Sequence, residues 1–193
     1  ARQQQMSKAK HKMVGTKNNR RAQLTRKNIQ DALIYLMRDK NINSISVTDI
    51  CKTADINRGT FYAHFVDVAD CMNHMEKETA NELFSILEND KQTDSVEVLL
   101  QAIFELVEKN NKVFNFILTE DQDFLANILS TTKQKFFNQL VPDDDTLSMS
   151  EKQFLYEYTL NGVVGMIRHW IKNDMKESPK TLTSYFNKWC YQS

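Results

Sequence analysis

Arg58, Gly59, Thr60, Tyr62 and His64 fall within seven residues and share one side of a short helix if Ile56, Phe61 and Phe65 turn inward. Those are the side chains with which a helix reads base-pair edges: arginine forks onto guanine, threonine touches a thymine methyl, and glycine lets the backbone approach closely. Tyr62 and His64 would then lie over the sugar–phosphate backbone and hold phosphates. Other constellations are thinner. Cys71 and His74 stand at i and i+3 with His64 nearby, but no second Cys/His pair supports a metal site, and packing is the ordinary fate of a thiol on an apolar helix face. Neither a glycine-rich phosphate loop nor a nucleophile elbow occurs, and the 4 His are widely spread. A small thiol- or metal-dependent enzyme with a basic arm for a nucleic-acid substrate is therefore the disfavoured rival, and no cofactor is expected.

The reading helix needs a partner to hold it. Ser46 can cap a preceding helix, with Asp49 three residues on completing a capping-box arrangement and Ile50 and Ala54 sharing a face. Asn57 can cap the reading helix itself. Between the two, Asp55 occupies a turn position where a short polar side chain tolerates positive φ. Two capped helices joined by a tight turn make a helix-turn-helix. Upstream, from about Arg21 to Asp39, Ile29, Ala32, Leu33 and Leu36 recur at helical spacing and predict an amphipathic helix that covers this pair, with Thr25 and Arg26 near its start facing a DNA backbone. Asn41 to Ser44 reads as a polar connection.

The run Val47-Thr48-Asp49-Ile50, followed by Asn57-Arg58-Gly59-Thr60-Phe61-Tyr62-Ala63-His64-Phe65, resembles the N-terminal DNA-binding domain of the TetR/AcrR family of bacterial transcriptional regulators. The likeness covers roughly residues 21 to 72. The expected DNA contacts are Thr25, Arg26, Thr48, Asn57, Arg58, Gly59, Thr60, Tyr62 and His64. Two departures stand out: family members usually carry Gly where Asp55 stands, and often Lys where this chain has Val68. A phosphate contact made by that Lys is in question, although backbone N–H groups at the start of the helix could still hold a phosphate.

Composition agrees with a regulator of two parts. Only 4 Gly and 2 Pro occur in 193 residues, and long stretches show helical periodicity, which predicts an all-α protein of about nine helices. The formal net charge of zero conceals a polarised chain: residues 1–66 hold 13 Lys+Arg against 4 Asp+Glu, and residues 67–193 hold 12 against 21. The basic part contains the helix-turn-helix and should be drawn to phosphates; the acidic part should be repelled. Residues 1–19 lack apolar periodicity and are expected to be a mobile basic arm, solvated or tracking a minor groove. Residues 20–67 form the expected DNA-binding domain, and 68–193 a helical regulatory and dimerisation domain. No run approaches the roughly 18 apolar residues of a membrane span, so a cytoplasmic protein is expected, with Cys51, Cys71 and Cys190 as reduced thiols.

After a long helix from Val68 to about Asn89, five more helices are predicted: about Asp94 to Lys109, Asn111 to Leu118, Asp121 to Leu140, Ser148 to Asn173, and a last one opened by Ser178-Pro179. In the fourth of these, Tyr158, Gly162, Gly165 and His169 fall along one stripe; in the fifth, Leu182, Tyr185, Phe186 and Trp189 share a side. Small residues at that spacing let another backbone come close, so these two helices from each of two chains could form a four-helix homodimer interface, as the TetR/AcrR resemblance also implies. The bland alternative is that they close the monomer core. The resemblance further implies a small-molecule effector in the second domain. Phe104, Phe114, Phe116, Phe124, Phe137, Tyr156 and Trp170 could line its cavity, with Arg168 or His169 as polar anchor, though most of these rings are expected in the core. The run Gly162 to Ile171 also resembles a C-terminal domain of regulators from low-GC Gram-positive bacteria, a subgroup that includes an activator of dihydroxyacetone kinase genes. The expected partners are thus an operator in double-stranded DNA, a second copy of the chain and an unidentified effector, with repression the commoner outcome and activation open.

Overall fold

The computed structural model describes residues 2–89, 96–141 and 145–190, apart from the side chains of residues 2–18, 89, 136, 138–140 and 189–190. Among the described residues the regular structure is helical throughout: α1 Arg2–Leu36, a short 3₁₀ turn Ile42–Ser44, α2 Val47–Thr53, α3 Arg58–Tyr62, α4 Val68–Asn89, α5 Val96–Lys109, α6 Asn111–Thr119, α7 Gln122–Leu140, α8 Met149–Lys172 and α9 Pro179–Cys190. No helix among them is long and apolar enough to cross a membrane.

The chain divides into two compact units, residues 1–75 and 76–193. The division falls inside α4 rather than at its start, because the first turns of α4 bury Cys71 and Met72 in the first unit. That unit is built on Ile29 and Leu33 of α1, Ile50 of α2, Phe61 of α3 and the following Phe65, all essentially inaccessible. α1 begins well ahead of the amphipathic stretch. The backbone of residues 2–19, expected as a mobile arm, continues the helix upstream; Lys, Arg, Gln, Met and Ala are good helix formers even without an apolar stripe.

In the second unit α9 packs along α5, and α6 against α7 and α8. Phe104 and Trp170 meet edge to face at 6.1 Å in its core, and Trp170 Nε1 donates to the Glu177 carbonyl across the α8–α9 turn at 2.9 Å. That turn carries Asp174 and Met175 at positive φ. α8 opens on a reciprocal cap: the Ser148 hydroxyl accepts from the Glu151 N–H, and the Glu151 carboxylate accepts from the Ser148 N–H at 2.8 Å. The Ser148 hydroxyl, which also donates to Glu151 Oε2 at 2.6 Å, and then the Ser148 N–H hold the Glu151 carboxyl below its ordinary pKa. Pro179 occupies the first position of α9, and Ser178 accepts from the Thr181 N–H. The helix start expected at about Asp94 lies outside the described residues.

Candidate nucleic-acid interface

Local chemistry sets the geometry of α2 and α3. The Ser46 hydroxyl accepts from the Asp49 N–H at 3.1 Å, and Asp49 Oδ2 accepts from the Ser46 N–H at 3.0 Å, closing a capping box. Backbone and side-chain hydrogen bonds from Ser46 hold the Asp49 carboxyl below its ordinary pKa. α2 ends with Asp55 at φ 51° and the Ile56 N–H donating back to the Cys51 carbonyl at 3.0 Å. That six-to-one bond around a left-handed residue is a Schellman motif, normally made with glycine. Asn57 then caps α3, its Oδ1 accepting from both the Thr60 N–H at 2.8 Å and the Thr60 hydroxyl at 3.1 Å.

On α3, Arg58, Gly59 and Tyr62 are exposed and Thr60 and the following His64 half-buried; Thr48 of α2 is exposed as well. A Cβ on Gly59 would lie 3.2 Å from the capping Asn57 Oδ1, so this glycine also leaves room for the cap. Arg58 Nη2 donates to the Tyr62 hydroxyl at 3.1 Å, and its guanidinium lies 5.8 Å from that ring's centroid. The hydrogen bond raises the Arg58 pKa further. Tyr62 stands edge-on to buried Phe61 at 5.6 Å.

Other expected contacts are placed differently. Arg26 is half-buried with its guanidinium 5.4 Å from the centroid of the Phe65 ring, so part of it packs within the first unit. The Thr25 hydroxyl donates to the Arg21 carbonyl one turn back. At the start of α4, where Val68 replaces the usual Lys, Asp67 Oδ1 accepts from the Asp70 N–H at 2.7 Å and Asp70 Oδ2 accepts from the Val66 N–H at 2.9 Å. Two carboxylates therefore occupy the helix end considered for a phosphate, and their charge opposes an anion there. Cys71 is fully buried, and His74 Nδ1 lies 2.8 Å from the Asp70 carbonyl and 3.3 Å from its carboxylate.

In the second unit Phe104, Phe114, Tyr156 and Trp170 are buried, and Phe116, Phe124 and Phe137 half-buried. Arg168 and His169 lie exposed on α8 and are not brought to those rings. Leu182 and Phe186, expected at a partner surface, are only 6% and 5% exposed, because α9 turns them into the core beside α5. Tyr185 stays exposed; the Trp189 side chain lies outside the described residues. Along α8, Tyr158, Gly162, Gly165 and His169 are exposed, and a Cβ on either glycine would meet nothing within 4 Å. Phe154 extends this stripe one turn upstream and, like Tyr158, is 74% exposed. It was missed as a surface residue, although its spacing of four from Tyr158 was the available signal. Glu76 was missed altogether. It is 1% exposed, Oε1 has no hydrogen-bond partner, and burial, with Asp121 nearby, pushes its carboxyl up to about 7.

Residues 94–190, just over half of the chain, match the TetR-family model described as "Transcriptional regulator C-terminal region". The HTH-type dhaKLM operon transcriptional activator DhaS of Lactococcus lactis subsp. lactis is 27% identical over 168 residues, spanning 80% of this chain and 83% of the relative. Among solved structures, a transcriptional regulator from Aquifex aeolicus VF5 superposes with a TM-score of 0.71 at 23% identity, over 86% of this chain and 96% of its own. A dihydroxyacetone kinase operon activator, DhaS, gives 0.60 at 23% identity over 86% and 93%. The structural likenesses bear on the fold, and the family match reaches from before α5 through α9, the helices that the capped reader in front of them does not include. The chain thus belongs to the TetR family of transcriptional regulators.

Proposed function

We propose that this regulator acts by binding a palindromic operator as a homodimer, with α3 of each copy entering a major groove. The observation that supports this best is the capped α2–turn–α3 unit presenting Arg58, Gly59 and Thr60 on the basic part of a charge-polarised chain. One five-residue helix touches too few base pairs for genomic specificity, whereas two related by a twofold axis read two half-sites. Successive major grooves on one face lie roughly 34–36 Å apart, and the two copies of α3 are expected at that separation or a small extension of it. Residues 1–27 add nine cations and no acid as a second, sequence-independent source of phosphate attraction. The same reading puts the protein in the cytoplasm, with an effector bound in the second unit that shifts operator affinity by binding two states unequally.

A genomic footprint of the protein tests this. Protected sites with twofold symmetry support the reading, and their absence sinks it. Activation is the second outcome to consider, favoured by the resemblance to DhaS in both sequence and fold. Transcript levels of the footprinted genes with and without the regulator separate the two: they fall on its removal if it activates and rise if it represses.

A further inference from the structure

We propose that Tyr62 is the positioning residue for Arg58, so that the pair, not the arginine alone, sets discrimination at one guanine-containing base pair; this rests on α3 being the reading helix. The two residues stand one turn apart, where helical side chains meet. Arg58 Nη2 donates to the Tyr62 hydroxyl at 3.1 Å, and the guanidinium also stands 5.8 Å from the tyrosine ring's centroid. The tyrosine is itself braced, its ring edge-on to Phe61 at 5.6 Å, and Phe61 is completely buried. Rigidity therefore runs from the core through Phe61 and Tyr62 to an arginine on the surface.

The hydrogen-bond inventory makes the arrangement useful. Arginine has five donors; one is engaged by Tyr62, and four remain, enough for the two-pronged contact with guanine O6 and N7. The phenolic oxygen that accepts from Arg58 still carries its own proton, which can be donated to a phosphate. A phosphate held that way fixes the tyrosine, and through it the arginine. Tyr62 thus converts a sequence-independent contact into better aim of a sequence-dependent one.

The test uses the full chain and a duplex enriched by it from a randomised 30-base-pair pool. Dissociation constants are measured for that duplex, its single-base-pair variants and a scrambled duplex, with the wild type, Tyr62→Phe, Arg58→Ala, Arg58→Lys and the Arg58→Ala/Tyr62→Phe double variant. Tyr62→Phe keeps the ring and removes only the hydroxyl. The expected result is that it lowers discrimination at one base pair by about 3- to 10-fold, that Arg58→Ala and Arg58→Lys abolish discrimination at that same pair, and that the double variant discriminates no worse than Arg58→Ala. The inference is overturned if Tyr62→Phe weakens the enriched, variant and scrambled duplexes by one common factor, or if the losses in the double variant add. Failure of the wild type to enrich any duplex removes the DNA-binding reading, and this inference with it, and is distinguishable because it precedes any variant.

Discussion

Glu76 is a carboxyl held inside the protein, 1% exposed. Its carboxyl is buried with one oxygen unpartnered, and the first cause of its raised pKa is burial; Asp121 adds to it and Lys77 offsets it. In the unfolded chain the group titrates near its ordinary 4.5, and in the folded protein near 7. Between those values the folded state holds the extra proton, so Glu76 makes stability fall as pH rises from about 4.5 to 7, and above that its cost is constant. Glu76→Gln is therefore expected to stabilise the protein at pH 8, on the order of 1–3 kcal/mol, with the gain shrinking towards pH 5. Melting temperatures of both forms at the two pH values check this; a gain that grows on acidification would refute it. Nothing in the sequence around Glu76 announced its raised pKa, because Asp121, whose charge adds to the shift, lies far along the chain. The direction of Arg26 was hidden for the same reason: its partner, Phe65, lies far along the sequence.

Helix ends were the most legible elements. Ser46 with Asp49, Asn57 and Ser148 with Glu151 each satisfy their own backbone within three residues, so their roles can be written down before any tertiary contact is known. The positive φ of Asp55 belongs to the same class. Asp55→Gly is expected to raise stability by about 0.5–1 kcal/mol and Asp55→Val to lower it by more, as read from denaturant midpoints, since a left-handed position penalises branched side chains. The N-terminal extension of α1 was not legible, because propensity without amphipathic pattern leaves no stripe to read. Leu182 and Phe186 show another limit: periodicity puts them on one face with Tyr185 nearby, but only packing against α5 decides which side turns inward. At the start of α4, Asp67 and Asp70 cap the helix where a cation would help DNA binding. Val68→Lys is expected to raise affinity for duplex DNA several-fold and to steepen the salt dependence by about one counterion per added phosphate contact. An unchanged salt slope would place that residue away from the duplex.

At the scale of the molecule, two properties must act together. The polarised charge gives one part of the chain an attraction to DNA that the other part opposes, which favours binding through the first unit and makes it steeply sensitive to salt. The exposed stripe of α8, with Phe154 and Tyr158 beside two glycines open on their Cβ side, supports pairing with a second copy. The double substitution Phe154→Ala/Tyr158→Ala is expected to weaken self-association by at least about 10-fold, measured by sedimentation, and to weaken operator binding in parallel. An undiminished dimer would move the interface elsewhere. The measurement that joins both properties is a sedimentation titration of the protein on its enriched duplex at several salt concentrations. A dimeric operator reader gives two chains bound together per duplex and a steep loss of affinity as salt rises; a single chain that remains a monomer and shows no salt-sensitive binding to any duplex contradicts it.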